Sequence, residues 1–119
     1  MYSKHDVPAA PFEAPLGFAI AEAPPPEEQL AFSKEAEAPA DALVGRSVLF
    51  KWPAIGWCIA KITERNVDAR VYKKIEDQRV KVNFWLFFEI DQQTIKTCLR
   101  LEEYGGDDDF AWVLLDELV

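Results

Sequence analysis

The sequence predicts an all-β fold: a small five-stranded antiparallel barrel over residues 42–119, behind a Pro/Ala/Glu-rich arm over residues 1–41. Two observations carry this reading. Beyond residue 43 the chain runs in short alternating stretches rich in Val, Ile, Phe and Trp, broken by Pro, Gly and Asp. Residues 1–41 hold seven of the eight prolines but only four aromatics, Tyr2, Phe12, Phe18 and Phe32.

The arm comes first. With two basic and eight acidic side chains and the tandem Pro24-Pro25-Pro26, it offers little to bury. Such a stretch cannot offset its ordering entropy and is expected to be disordered or extended in a polyproline-like conformation. Two apolar islands interrupt it, Leu16 to Ile20 and Leu30 to Phe32. They read either as linker or as extended segments that dock on a hydrophobic groove of this molecule or a partner. Glu27 to Ala38 has the composition of a short helix ended by Pro39.

The first strand should cover Ser47 to Trp52 and the second Trp57 to Arg65, joined across Pro53–Gly56 as a hairpin. Alternation puts Val48, Phe50 and Trp52 on one face, and Cys58, Ala60 and Ile62 on one face of the return strand. Asn66 to Gln78 is a longer connection in which Val71 to Ile75 can add a turn or a short strand. The third strand, Arg79 to Asp91, is the most apolar: Val80, Val82, Phe84, Leu86, Phe88 and Ile90 share a core face. Its other face places Trp85 and Phe87 between polar ends, so it requires either a covering layer or a binding role. A turn at Asp91–Thr94 leads to a fourth strand with Ile95, Thr97, Leu99 and Leu101 on one side. Leu101 to Tyr104 reads as a helical turn closed by Gly105-Gly106, where positive φ is permitted. Asp107 to Asp109 form an acidic loop, and Ala111 to Leu115 form the fifth strand. Five such strands suit an SH3-like barrel, whose closure removes most exposed edges from a small core.

Composition excludes several functions. At a net charge of −8 the chain repels a phosphate backbone, so nucleic-acid binding requires a local basic patch. The one patch on offer is Arg65, Arg70, Lys73, Lys74 and Arg79, which reads either as a solvated mixed-charge loop or as an anion-binding lip. Cys58 and Cys98 sit in apolar runs and read as buried free thiols, and no ligand spacing implies a metal. The only histidine, His5, lies in the arm, and no phosphate-cradling glycine loop occurs, so catalysis is not expected. No apolar run reaches the ~20 residues of a membrane span. The expectation is a monomeric intracellular protein, nuclear or cytoplasmic, without a cofactor.

The hairpin carries a resemblance. Gly45-Arg-Ser-Val-Leu-Phe-Lys-Trp52, a turn, and Gly56-Trp-Cys-Ile-Ala-Lys-Ile62 are similar to the opening hairpin of Tudor domains, of the Royal superfamily. Phe87-Phe-Glu-Ile-Asp91 resembles the Tudor third strand, and the likeness spans about residues 44–101. It implies a reader of methylated lysine or arginine on chromatin or RNA-associated proteins, using an aromatic cage. Matched residue by residue, Trp52 and Trp57 stand for the hairpin aromatics, Phe87 or Phe88 for the third-strand aromatic, and Glu89 or Asp91 for the acidic member. Thr94-Ile95 stands where cage-bearing members often have another aromatic, and the Asn66–Gln78 insertion is unusual for the family. Three functions are therefore open: a peptide-recognition module with a groove rimmed by Trp52, Trp57, Phe87 and Asp91; a nucleic-acid- or chromatin-associated module, as in a mobile-element or regulatory protein, using the basic loop; or a structural barrel with the arm docked on itself.

Overall fold

The computed structural model describes residues 14–118. The chain is all-β and mostly antiparallel, and among the described residues its only helical pieces are three short 3-10 turns. The strands are β1 (Phe18–Ile20), β2 (Ser47–Trp52), β3 (Gly56–Arg65), β4 (Tyr72–Ile75), β5 (Gln78–Lys81), β6 (Phe84–Phe88), β7 (Gln93–Thr97) and β8 (Trp112–Glu117). Six of them form one sheet in the order β1-β8-β2-β3-β6-β7, and β4 and β5 form a separate ribbon. The five strands read from the sequence overlap β2, β3, β6, β7 and β8, but β7 begins at Gln93, inside the expected turn, and ends at Thr97, so Leu99 and Leu101, expected in the fourth strand, fall outside it. The sheet gains β1, and the apolar run that read as one strand from Arg79 to Asp91 is divided between β5 and β6.

Alternation builds the core. Val48 pairs with Ala60 on one side and Leu114 on the other, and Phe50 pairs in the same way with Cys58 and Trp112. Cross-strand partners share a face, so these rows stack inward with Ile62, Phe84, Leu86 and Phe88, all at most 3% exposed. The opposite face carries a second apolar layer of Leu49, Trp57, Val113 and Leu115, against which Phe18 and Ile20 pack. Burial on both faces explains the near-continuous apolar reading of β2 and β8.

A β-bulge between Ile62 and Glu64 resets this alternation. One residue is extra on β3, and the Thr63 hydroxyl donates to the Trp85 carbonyl at 3.0 Å. Beyond the bulge Arg65, opposite Phe84, turns inward, leaving its side chain only 9% exposed. Its guanidinium donates to the Asp41 carboxylate at 2.8 Å and to the carbonyls of Ser33 and Glu35. The described part of the arm is thereby held against the sheet, and β1 pairs along β8 with Ile20 opposite Leu115. Within Glu27–Ala38, where a short helix was expected, a single 3-10 turn forms at Glu27–Gln29. Residues 1–13 of the arm lie outside the described residues.

The break between β5 and β6 falls at Val82-Asn83. Val82 donates its amide to the Val71 carbonyl, within the ribbon's base, whereas Asn83 donates to Thr97 and accepts from Asn66, within the main sheet. The Asn83 side chain bridges the two regions. Its Nδ2 donates to the carbonyls of Leu30 and Leu99 at 3.0 and 2.8 Å, and its Oδ1 accepts from the Leu99 amide at 2.9 Å. That saturation allows a polar side chain to be 8% exposed at a position alternation assigns to solvent. Among the described residues no helix is long and apolar enough to cross a membrane.

Candidate functional site

Two turns bring the candidate site together. The β2–β3 hairpin turns through Pro53–Ile55, with Ala54 in the left-handed region at φ 65° and Gly56 at φ 101°, a value glycine adopts without a Cβ clash. The β6–β7 hairpin turns through Glu89–Gln92, where Asp91 Oδ1 accepts the Gln93 amide and Gln92 Nε2 donates to the Glu89 carbonyl. Between the two turns opens a cavity of about 260 Å³ lined by Trp52, Ile55, Cys58, Phe88, Ile90, Asp91 and Ile95. It is smaller than the roughly 300–1,000 Å³ of small-molecule clefts, so a single side chain is the natural guest.

Its walls are aromatic and aliphatic, with one charge. The Trp52 and Phe88 rings lie 5.4 Å apart and tilted by 57°, and Phe50 supports both, 5.0 Å from Trp52 and 6.1 Å from Phe88. Phe88 is sealed at 1% exposure, whereas Trp52 is half-buried and Asp91 is exposed at the rim. The Cys58 thiol is raised above its ordinary pKa, chiefly by burial and then by the nearby Asp91 carboxylate, so it presents a neutral wall. Phe110 approaches Trp52 from the loop before β8, at 6.3 Å, with its backbone in the left-handed region at φ 69°. That costly conformation is held by a hydrogen bond from the Phe110 amide to the Lys51 carbonyl and one from the Lys51 amide to the Ala111 carbonyl.

Of the residues singled out from sequence, Trp52, Phe88 and Asp91 meet at this cavity. Trp57 and Phe87 do not. Trp57 pairs with Lys51 on the reverse face and is buried to 4% in the second apolar layer. Phe87 lies opposite Lys61 and Thr94 on that same reverse face, half-buried. Glu89 is exposed in the turn and does not border the cavity. A groove rimmed jointly by Trp52, Trp57, Phe87 and Asp91 is therefore not formed, because odd and even positions of a strand face opposite ways. Sequence reasoning missed Ile55, Ile90 and Ile95 as walls and Phe110 as a neighbour of Trp52. Alternation with Phe88 was the available signal for Ile90, and the lone aromatic of an acidic loop was the signal for Phe110.

The basic residues are divided as well. Arg65 is committed to the arm, as described above. Arg70 makes a bidentate contact with Asp68, and this hydrogen bonding holds the Asp68 carboxyl down at about 2. Lys73 turns inward, with its Nζ 4.6 Å over the Trp52 ring. Lys74 and Arg79 are ladder partners on the exposed side of the ribbon, with Arg79 over Tyr72. Cys58 and Cys98 are free and buried.

Two larger hollows lack such convergence. One, of about 490 Å³, lies between the arm and Leu99–Glu102, where Asn83 is saturated and Arg100 is paired with Glu102 and Glu103. The other, of about 640 Å³, is rimmed by carboxylates such as Glu76, Asp108 and Asp109. Among the described residues no group of three or more His, Cys, Asp or Glu side chains is placed to hold a metal. Comparison with protein families, with curated proteins and with solved structures finds no match for this chain.

Proposed function

We propose that this protein is a non-catalytic recognition module that takes the methylated lysine or arginine side chain of a peptide into the cavity between the β2–β3 and β6–β7 turns. On this reading β2, β3, β6, β7 and β8 curl into an SH3-like barrel of the Tudor kind, and the cavity stands where such a domain carries its cage. One observation supports it most: the tilted Trp52–Phe88 ring pair with the Asp91 carboxylate at the rim of a cavity sized for one side chain. A methylammonium on an aromatic face gains about 0.5–2 kcal/mol per ring, and desolvation by the isoleucine walls favours the larger, less hydrated methylated forms. With Trp52 as the one accessible ring and Phe88 buried behind it, affinity is expected in the weak range; Asp91 adds attraction for any cation, and discrimination rests on the isoleucine walls. Tryptophan-fluorescence titration with trimethylated, dimethylated and unmodified peptides tests this. Saturable quenching by methylated peptides that Trp52→Ala abolishes and Asp91→Asn weakens is expected; equal responses to unmodified peptide, or none at all, count against it.

A second reading is favoured by the arm. Pairing of β1 with β8, the Leu30 carbonyl on Asn83 and three contacts from Arg65 make residues 18–41 a strap across the sheet. On this reading the module is a structural scaffold. Removing residues 1–21 should then expose the β8 edge and produce self-association, seen by light scattering, whereas an unchanged monomer would argue against the strap.

A further inference from the structure

The β4–β5 ribbon is two-faced. Lys74 and Arg79 pair on its exposed side, while Lys73 and Val80 pair on its half-buried side facing the main sheet. The ribbon is held by a few bonds, among them the Val82 amide to the Val71 carbonyl and Lys96 Nζ to the Tyr72 carbonyl at 3.1 Å. From this ribbon the Lys73 ammonium reaches the Trp52 ring at 4.6 Å and the Phe110 ring at 5.8 Å. Among the described residues no carboxylate lies within 4.0 Å of it. Burial lowers the Lys73 pKa, with the neighbouring Lys96 adding to the effect and Cys98 opposing it.

A half-buried ammonium without a counter-ion is costly, and aromatic faces return only part of that cost. The contact therefore adds little to stability, but it changes what Trp52 offers to the cavity. Neither Lys73 nor Phe110 borders that cavity, so one indole has the ammonium on one flank and the cavity on another. A cation on a ring draws down the negative potential available to a second cation, and at such separations in a poorly solvated site the direct repulsion is also substantial. Asp91 at the rim attracts a guest cation; Lys73 behind the indole opposes it.

We propose that Lys73 is an internal cation that holds down the cavity's affinity for cationic guests, so that losing its charge, or lifting the β4–β5 ribbon from Trp52, tightens binding. This rests on the cavity being a methylammonium site, and it adds the regulation of that site. The side chain acts through Trp52 without touching the guest. It is thus a positioning residue, and its charge can be separated from its bulk by substitution.

The test compares wild type, Lys73→Met, Lys73→Gln and Lys73→Arg, titrated with tetramethylammonium chloride and with an N-acetyl trimethyllysine amide. The readout is the Trp52 indole N–H in proton–nitrogen spectra, whose dispersion also reports folding. Lys73→Met and Lys73→Gln should bind both probes roughly three- to tenfold more tightly than wild type, and Lys73→Arg should match wild type. Independently, the wild-type Lys73 ε-methylene protons should be shifted upfield by the indole ring current, and Trp52→Ala should abolish that shift. Tighter binding by the neutral variants supports the proposal. Equal or weaker binding by them, with wild type binding normally, overturns it while leaving the cavity's function intact. No binding by any form overturns the cavity reading, and this inference with it. A lysine ε-methylene at its ordinary position removes the contact, and so the proposal, even if the variants fail to fold.

Discussion

Asn83 is the residue on which the arm, the sheet and the chain's exit from the ribbon all depend, and replacing it with alanine gives a calculable loss. Three side-chain hydrogen bonds disappear: Nδ2 to Leu30 and Leu99, and the Leu99 amide to Oδ1. Leu99 is 1% exposed, so its amide is left without a partner away from water. Each neutral bond contributes about 1 kcal/mol net, and an orphaned buried N–H costs about 1–3 kcal/mol, so the expected destabilisation is about 3 kcal/mol. At this chain length that lowers the melting temperature by about 12 °C. Asn83→Asp should be worse, since it replaces both donors with an oxygen facing two carbonyls. Urea unfolding followed by tryptophan fluorescence measures all of this. A loss below about 1 kcal/mol for Asn83→Ala would mean that the Leu30 and Leu99 bonds are not made or are freely replaced.

Two further outcomes follow from the fold. The β4–β5 turn places both central residues, Glu76 and Asp77, at positive φ (50° and 65°), so Glu76→Asn with Asp77→Gly should stabilise the protein by about 1 kcal/mol in thermal unfolding. At alkaline pH, Cys58 and Cys98 are raised above the ordinary thiol value of 9.0, chiefly by burial, and Tyr104 above 10.0 for the same first cause. The folded state keeps protons that the unfolded chain releases, so this stability is complete below pH 9.0 and is lost as pH rises through the folded values. Lys73, lowered from 10.5, contributes with the opposite sign. Cys58→Ala with Cys98→Ala should flatten the decline in urea midpoint above pH 9.0; an unchanged slope would show that the thiols are not its source.

The sheet's centre was legible because its signals are local. Ser47–Trp52 and Gly56–Ile62 are runs rich in β-branched and aromatic residues, with Pro53 and Gly56 marking the turn between them, so the sequence reading matches β2 to the residue and β3 to within one. The ends were less legible because they depend on distant partners. The apolar island Leu16 to Ile20 reads either as linker or as a docking extended segment, and only the edge of β8 makes Phe18–Ile20 a strand. The bulge that turns Arg65 inward, and the bonds that let Asn83 divide an unbroken apolar run, are tertiary effects. At the candidate site, the period was itself the better guide. Alternation placed Trp57 opposite in parity to Cys58, and Phe87 opposite to Phe88, so two of the residues suggested by resemblance had to face away from Trp52. Phe110 and Lys73 arrive from elements far along the chain, and no local pattern links either to Trp52.

The most direct measurement is a proton–nitrogen chemical-shift titration of the protein with a trimethyllysine peptide and its unmodified counterpart. Saturable shifts confined to the Trp52 indole and the amides of Ile55, Phe88, Asp91 and Ile95 are expected for the methylated peptide alone. The Trp57 and Trp85 indoles should stay in place. Shifts centred on Trp85, Phe87 and Trp57, or identical responses to both peptides, would contradict the proposed site.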